Sequence, residues 1–593
     1  MKNRSDLPEL SDSMNVGVIN PAGPLSASAT GALDKALLRP PEVVCRLTRM
    51  GAAFPTRLSF MRLLVRRMAA ENWQISCERF ELDDAGYGTA VYTVSLPDQC
   101  YSLVVFANPL ADSDRTDRVI ASAWDAAFVL FDGIPGDADI DRLRQQAPLQ
   151  EAGRFEATDL ILSRANRSLR LFKYTCDCLA NGRQPEPQRL MDVGYLMRTT
   201  AVYGNGKFGA SDHSRIATRP ETQNSFAAEM LTVYLIRLFT FDQLEHIARQ
   251  RSPETAVSLD RDLKRILGIG NATGLGMAPF VVNHPELLHQ WFAAREIALA
   301  RVRSMSRVEL AELQRAEQLR QRALTHLAQW RVDDPAYQVR NEQLADDLAA
   351  FGGWLDAAKS GSTGSGLLWD ILYHWAEENL SLDAQELLVA LMLELYPECT
   401  DDLEDMFHVA KERRMDVTMP VADLRELMDS QYDWTADFDF SDAKENTHFW
   451  YVSENKLEPR FGVREEEPGA DREMPVAIAR DMTALRADLA QALDGVTVAE
   501  FLFAHPQHRH LVRRVQALGQ YPYGEIRDNL LASTCSPLDI LRFKLAFFGA
   551  AKFDPKSSLW TRICMFQGAP LPDELESATV DDWWLAIWPG DTA

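Results

Sequence analysis

DLILSRANRSLRLFKYTCDCLA, residues 159–180, is the stretch on which the reading of the fold turns. Arg164, Arg167 and Arg170 recur at every third position among large apolar residues, a spacing that places them on one basic face of a helix. The same periodicity recurs at 225–249, 285–332, 367–395, 403–412 and 482–493. The stretch 285–332 is long enough for two packed helices or one extended helix, with any joint expected at Ser304-Met305-Ser306. On this reading the chain is helical from Arg118 onward. Before that point, 55–72 has helical spacing with Arg62, Arg66 and Arg67 on its basic face. Three β-branched or aromatic runs, 73–82, 89–96 and 101–106, are then separated by turn residues and read as an antiparallel meander. The expected fold class is therefore mainly α, a multi-helix body with a small antiparallel β-meander near the N-terminus.

Composition sets the outer bounds. The 593 residues carry a formal charge of -24, with 46% hydrophobic and 25% charged residues, which is the profile of a globular chain. The acidic balance repels a polyanion, so nucleic acid is not an expected partner. No run approaches the about 20 apolar residues that span a bilayer, and the polar first residues lack a signal-peptide core. A cytoplasmic protein without a membrane partner is expected, and a homo-oligomer is compatible with this composition. Eight scattered cysteines form no Cys-x-x-Cys pair, which fits buried thiols in a reducing compartment.

Shifts in composition suggest six segments. These are a flexible leader at 1–35, an α+β unit at 36–150, a helical core with two glycine-rich loops at 151–355, a helical subdomain at 367–430, an aromatic and charged loop region at 431–475, and a C-terminal helical unit at 476–593. A Gly/Ser-rich insert at 359–366 marks a loop between helical blocks.

Three segments could carry chemistry. Tyr203-Gly-Asn-Gly-Lys-Phe-Gly209 has three glycines that free the backbone to turn, and Lys207 adds a cation for a carboxylate or phosphate. From Tyr195 to Pro220, Arg198, Lys207, Arg215 and Arg219 face a single acid, Asp212, reversing the sign of the whole chain. The hydroxyl of a Walker A loop is missing, since Phe208 follows Lys207. The second segment, Gly268-Ile-Gly-Asn-Ala-Thr-Gly-Leu-Gly276, lacks the dinucleotide spacing and follows a helical pattern, which excludes a Rossmann site and leaves a buried loop with close backbone approach. Its Asn271 and Thr273 could bind a ligand or cap helices. The two segments flank one helical connection and would converge if it doubles back. The third, Asn446-Thr-His-Phe-Trp-Tyr-Val-Ser-Glu-Asn455 with Arg460, offers His448 and Tyr451 for proton transfer and a guanidinium to orient a carboxylate.

The expectation is an enzyme acting on a small anionic metabolite, a carboxylate or phosphate, by acid/base chemistry. Lys207, His448 and Tyr451 are its catalytic candidates, and Arg198, Asn205, Asn271, Thr273 and Arg460 bind substrate in an anion-binding pocket. The identity of any cofactor is not readable from these residues. A helical scaffold for a protein partner is the rival reading. A third is a metalloenzyme using His374, His408 or the His505–His510 cluster, although neighbouring arginines make that cluster look like a cationic surface and i,i+4 pairs explain the other two histidines. Cys535 at a helix start is a further thiol candidate.

Overall fold

A computed structural model describes residues 37–115, 123–147, 156–204, 216, 219–271, 285–330, 335–361, 366–407, 415–436, 438, 448–453, 456–461, 478–528, 537–549, 552–557, 560–576 and 582–587. Its centre is a curled mixed sheet of nine strands rather than a small meander, and this overturns the expected mainly helical fold with its N-terminal meander. Among the described residues helix still outweighs strand. The strands are β1 (Gln74–Leu82), β2 (Gly88–Ser95), β3 (Cys100–Ala107), β4 (Ala126–Asp132), β5 (Asp159–Arg167), β6 (Tyr195–Gly204), β7 (Gly268–Asn271), β10 (Lys552–Ser557) and β11 (Trp560–Met565). They run in the order β1-β2-β3-β4-β5-β6-β7-β11-β10, antiparallel throughout except for the parallel pair β6–β7. A separate hairpin, β8 (His448–Ser453) and β9 (Lys456–Phe461), forms a second sheet.

The fifteen longer helices named here are α1 (Phe60–Ala70), α2 (Asp137–Gln146), α3 (Phe172–Ala180), α4 (Ala227–Arg251), α5 (Arg261–Ile266), α6 (Pro285–Arg303), α7 (Leu310–Gln329), α8 (Pro335–Lys359), α9 (Leu368–Asn379), α10 (Leu382–Leu395), α11 (Val421–Gln431), α12 (Ile478–Gln491), α13 (Val498–Ala504), α14 (Arg509–Leu518) and α15 (Pro537–Phe548). α4 joins β6 to β7 and touches six strands, β2 to β7, so the sheet wraps around it. Its residues from Ala228 to Phe241 are all buried, as expected of a helix enclosed on every side. The outer face of β2 to β5 is covered in turn by Ile140 and Leu143 of α2.

That double cover explains why residues 159–167 form a strand without a strand's alternation. In β5, Leu160, Ile161 and Ala165 belong to the inner core while Leu162 packs outward with α2, so nearly every side chain is buried and the alternation of a half-exposed strand disappears. The arginines do not share a helix face. Arg164 and Arg167 stand three apart on a strand and point to opposite sides. Arg164 stacks 3.9 Å over Trp124, and Arg167 lies over the rings of Tyr87 and Phe172. Gly268 and Gly270 are likewise in a strand rather than a loop. A Cβ on Gly268 would lie 2.2 Å from the Met565 carbonyl oxygen of β11, and one on Gly270 would strike the Tyr195 ring at 2.6 Å.

α6 to α10 form a bundle in which α10 meets α6, α7, α8 and α9, and their apolar residues merge with the inner face of the sheet into one core. The break between α6 and α7 falls where Ser304-Met305-Ser306 predicts it. A second core belongs to α11 to α14, built from Val421, Leu424, Met482, Leu485, Leu489, Phe501, Val512 and Val515 among others. This unit is tied to the body through buried Glu525, which accepts from Tyr432 Oη at 2.8 Å and from Arg514 Nη2 at 2.6 Å. Among the described residues no helix is long and apolar enough to cross a membrane.

Candidate metal centre

The small helical unit gathers the densest metal-ligating chemistry among the described residues. α12 buries Met482, Leu485 and Leu489 along one face, which leaves Asp488 at the rim of that core. α13 starts on a capping box in which Thr497 Oγ1 accepts from Glu500 N at 3.3 Å and Glu500 Oε2 accepts from Thr497 N at 2.8 Å. It stops at Ala504 because Pro506 disfavours helical backbone at His505, whose angles are φ -128 and ψ 62. A single 3-10 turn, Pro506–His508, then leads into α14. With three residues per turn, positions three apart eclipse each other, so His505 and His508 present their rings to the same side. Phe501 stacks on both, with centroids 4.8 Å from His505 and 6.2 Å from His508.

Both rings converge on one oxygen. His508 Nε2 lies 2.8 Å and His505 Nδ1 3.3 Å from Asp488 Oδ2, and the three ligand atoms all lie within 4.8 Å of one another. The hydrogen bond with His508, helped by the nearby His505, holds the Asp488 carboxyl below its ordinary range. Four-coordinate zinc has metal–ligand bonds of about 2.1 Å, which puts neighbouring donors about 3.4 Å apart. Small ring movements therefore bring these three donors to that spacing. His508 is nearly buried, with 6% of its side chain exposed, whereas Asp488 at 30% and His505 at 32% leave one side of the group open to solvent. Two imidazoles, one carboxylate and an open side fit a divalent transition metal with an exchangeable position.

Lys207, Asn205 and Thr273 lie outside the described residues, as do His408 and Cys535. Arg198 and Asn271 are buried on the adjacent strands β6 and β7. Their register pairs Arg198 with Gly270 and Thr199 with Asn271, so Arg198 and Asn271 belong to opposite faces of the sheet. His448 pairs with Phe461, Tyr451 with Glu458 and Phe449 with Arg460 in the β8–β9 hairpin. His374 is exposed and sits 3.1 Å from Glu377 Oε2, an ordinary pair on a helix face. Asp488 carries no sequence signal at all, since it stands 17 positions before His505 on another helix. His505 and His508 stand within the His505–His510 cluster, where the neighbouring arginines give the pattern of a cationic surface. No protein family matches the chain, and neither a curated protein nor a solved structure does.

Proposed function

We propose that this chain binds a divalent transition metal through Asp488, His505 and His508, with a fourth, solvent-facing position available to water or a substrate oxygen. The convergence of two imidazole nitrogens on one carboxylate oxygen, at 2.8 and 3.3 Å, carries the reading. When bound, the metal supplies Lewis acidity at that open position. The side chains hold the donors in place: Phe501 fixes the planes of both rings, and the 3-10 turn keeps them on one side. Titration of the metal-free protein with cobalt(II) and with zinc tests this. One equivalent should bind, with the visible bands of tetrahedral cobalt, and His505→Ala, His508→Ala and Asp488→Ala should each abolish those bands while His374→Ala keeps them. Absence of saturable binding, or binding untouched by the three substitutions, would overturn the assignment.

One observation favours a second reading, an anionic metabolite held by the glycine-rich segments. β6 and β7 are parallel neighbours, so the two strands that carry the starts of these segments run in the same direction and end at Gly204 and Asn271. Inorganic phosphate should then raise the melting temperature of the protein, and Lys207→Ala should remove that rise. A cytoplasmic location belongs to the same proposal, supported by the buried thiols of Cys45, Cys176, Cys178, Cys399 and Cys564.

A further inference from the structure

The free edge of the sheet borders a cleft far from the histidines in sequence. It lies between β1 and β2 on one side and α4, α5 and residues 571–573 on the other, and its volume is about 380 Å³, within the range of small-molecule sites. Leu238, Phe241, Leu259 and Leu571 form apolar walls. Cys77 and Tyr92 face each other across the β1–β2 pair at one side of it.

The charges around this cleft are unevenly matched. Arg261 is held by Asp573 at 2.6 Å and by Glu574 at 2.7 Å, and Lys264 is held by Glu245 at 2.6 Å. Both cations are therefore already spent on carboxylates. Asp242 has no contact ion pair among the described residues, although Lys264 and Arg249 are near enough to act on its charge. Its only side-chain hydrogen bond among the described residues comes from the buried Tyr92 hydroxyl, which donates to Oδ2 at 2.6 Å. Tyr92 thus orients the carboxylate without neutralising it, and leaves Oδ1 and a second lone pair of Oδ2 toward the cleft. An anchored, solvent-accessible carboxylate without a contact ion pair among the described residues, beside the apolar side chains of Leu238, Phe241 and Leu571, suits a cation with an apolar body.

We propose that this cleft is a binding site for a small organic amine, whose ammonium meets Asp242 and whose hydrocarbon part lies against Phe241, Leu238 and Leu571. The site is independent of the metal reading. Calorimetric titration of the full chain with phenethylamine, hexylamine and cyclohexylamine tests it, with phenylacetate and phenethyl alcohol as matched controls. At least one amine should bind, and the acid and the alcohol at least tenfold more weakly. Asp242→Asn, which keeps an acceptor for Tyr92, should weaken amine binding at least tenfold. Cys77 gives a second readout that is specific to the place, because its thiol is exposed and lines the cleft. The bound amine should slow its alkylation by iodoacetamide, followed by peptide mass. The proposal fails if none of the amines binds and protects Cys77, if phenylacetate binds as well as the amine, or if Asp242→Asn binds unchanged.

Discussion

Replacing Glu386 with glutamine should loosen the whole helical bundle. Glu386 is fully buried in the middle of α10 and accepts from Arg39 Nη1 at 2.8 Å, from Arg49 Nη1 at 2.7 Å and from Arg295. The second carboxylate of the group, Glu296, meets Arg39 through two hydrogen bonds of 2.7 Å. Three guanidiniums thus share two carboxylates, and the neutral variant would leave them with one. Although burial opposes ionisation, the three arginines hold the Glu386 carboxyl well below the usual range. Its stabilisation is therefore present at any pH above the ordinary glutamate value and is lost only as pH falls through the depressed one. Removing one member of a buried ion group costs about 3–5 kcal/mol, because the remaining charges stay buried without compensation. At about 1.4 kcal/mol per factor of ten, amides of α6 and α10 that exchange by cooperative opening of the bundle should exchange about 100 to 3000 times faster at pH 7. Mass-resolved hydrogen exchange reads this helix by helix and separates it from the α11–α14 unit, which has its own core. Acceleration of less than about fivefold, below about 1 kcal/mol, would refute the reasoning.

Glu229, in the first turn of α4, is buried without an ion-pair partner among the described residues, and burial raises its carboxyl to about 7. A carboxyl raised on folding favours the native state at low pH and weakens it as pH rises through that value, so Glu229→Gln should be up to about 3 kcal/mol more stable than the native chain at pH 8.5 and equal to it near pH 4.5; identical pH profiles of thermal unfolding would contradict this. Gly268→Ala should cost about 1–3 kcal/mol or more, because the new methyl would meet the Met565 carbonyl where β7 joins β11, and an unchanged melting temperature would show that the strands can part freely. Saturating zinc should slow hydrogen exchange in α12 and α13 and leave α6 and α10 unaffected; uniform or absent protection would speak against a metal at Asp488, His505 and His508.

The elements legible in the sequence are those whose signal is local. Strands β1 to β3 stand out because turn residues such as Asp83-Asp84-Ala85-Gly86 punctuate them, and the gap between α6 and α7 because serines interrupt an otherwise continuous helical period. β4 and β5 do not stand out in this way: with α4 inside and α2 outside, their residues are buried on both faces, so no period of two survives to mark them. The joining of β10 and β11 to a sheet begun almost 500 residues earlier is a matter of long-range pairing that no local window contains.

The candidate site divides along the same line. His505 and His508 owe their spacing to Pro506 and the 3-10 turn, and both are written in one short segment. Asp488 joins them only because α12 and α13 pack Leu485, Leu489 and Phe501 into a shared core. In the same way the lack of a contact ion pair at Asp242 among the described residues emerges only once Arg261 and Lys264 are seen held by other acids. By itself the sequence determined composition, charge sign, the early strands and most helices, which depend on neighbours a few residues apart. Which residues meet to form a site was decided by tertiary packing, because a ligand is bound by side chains close in space and the chain distance between them leaves no periodic trace.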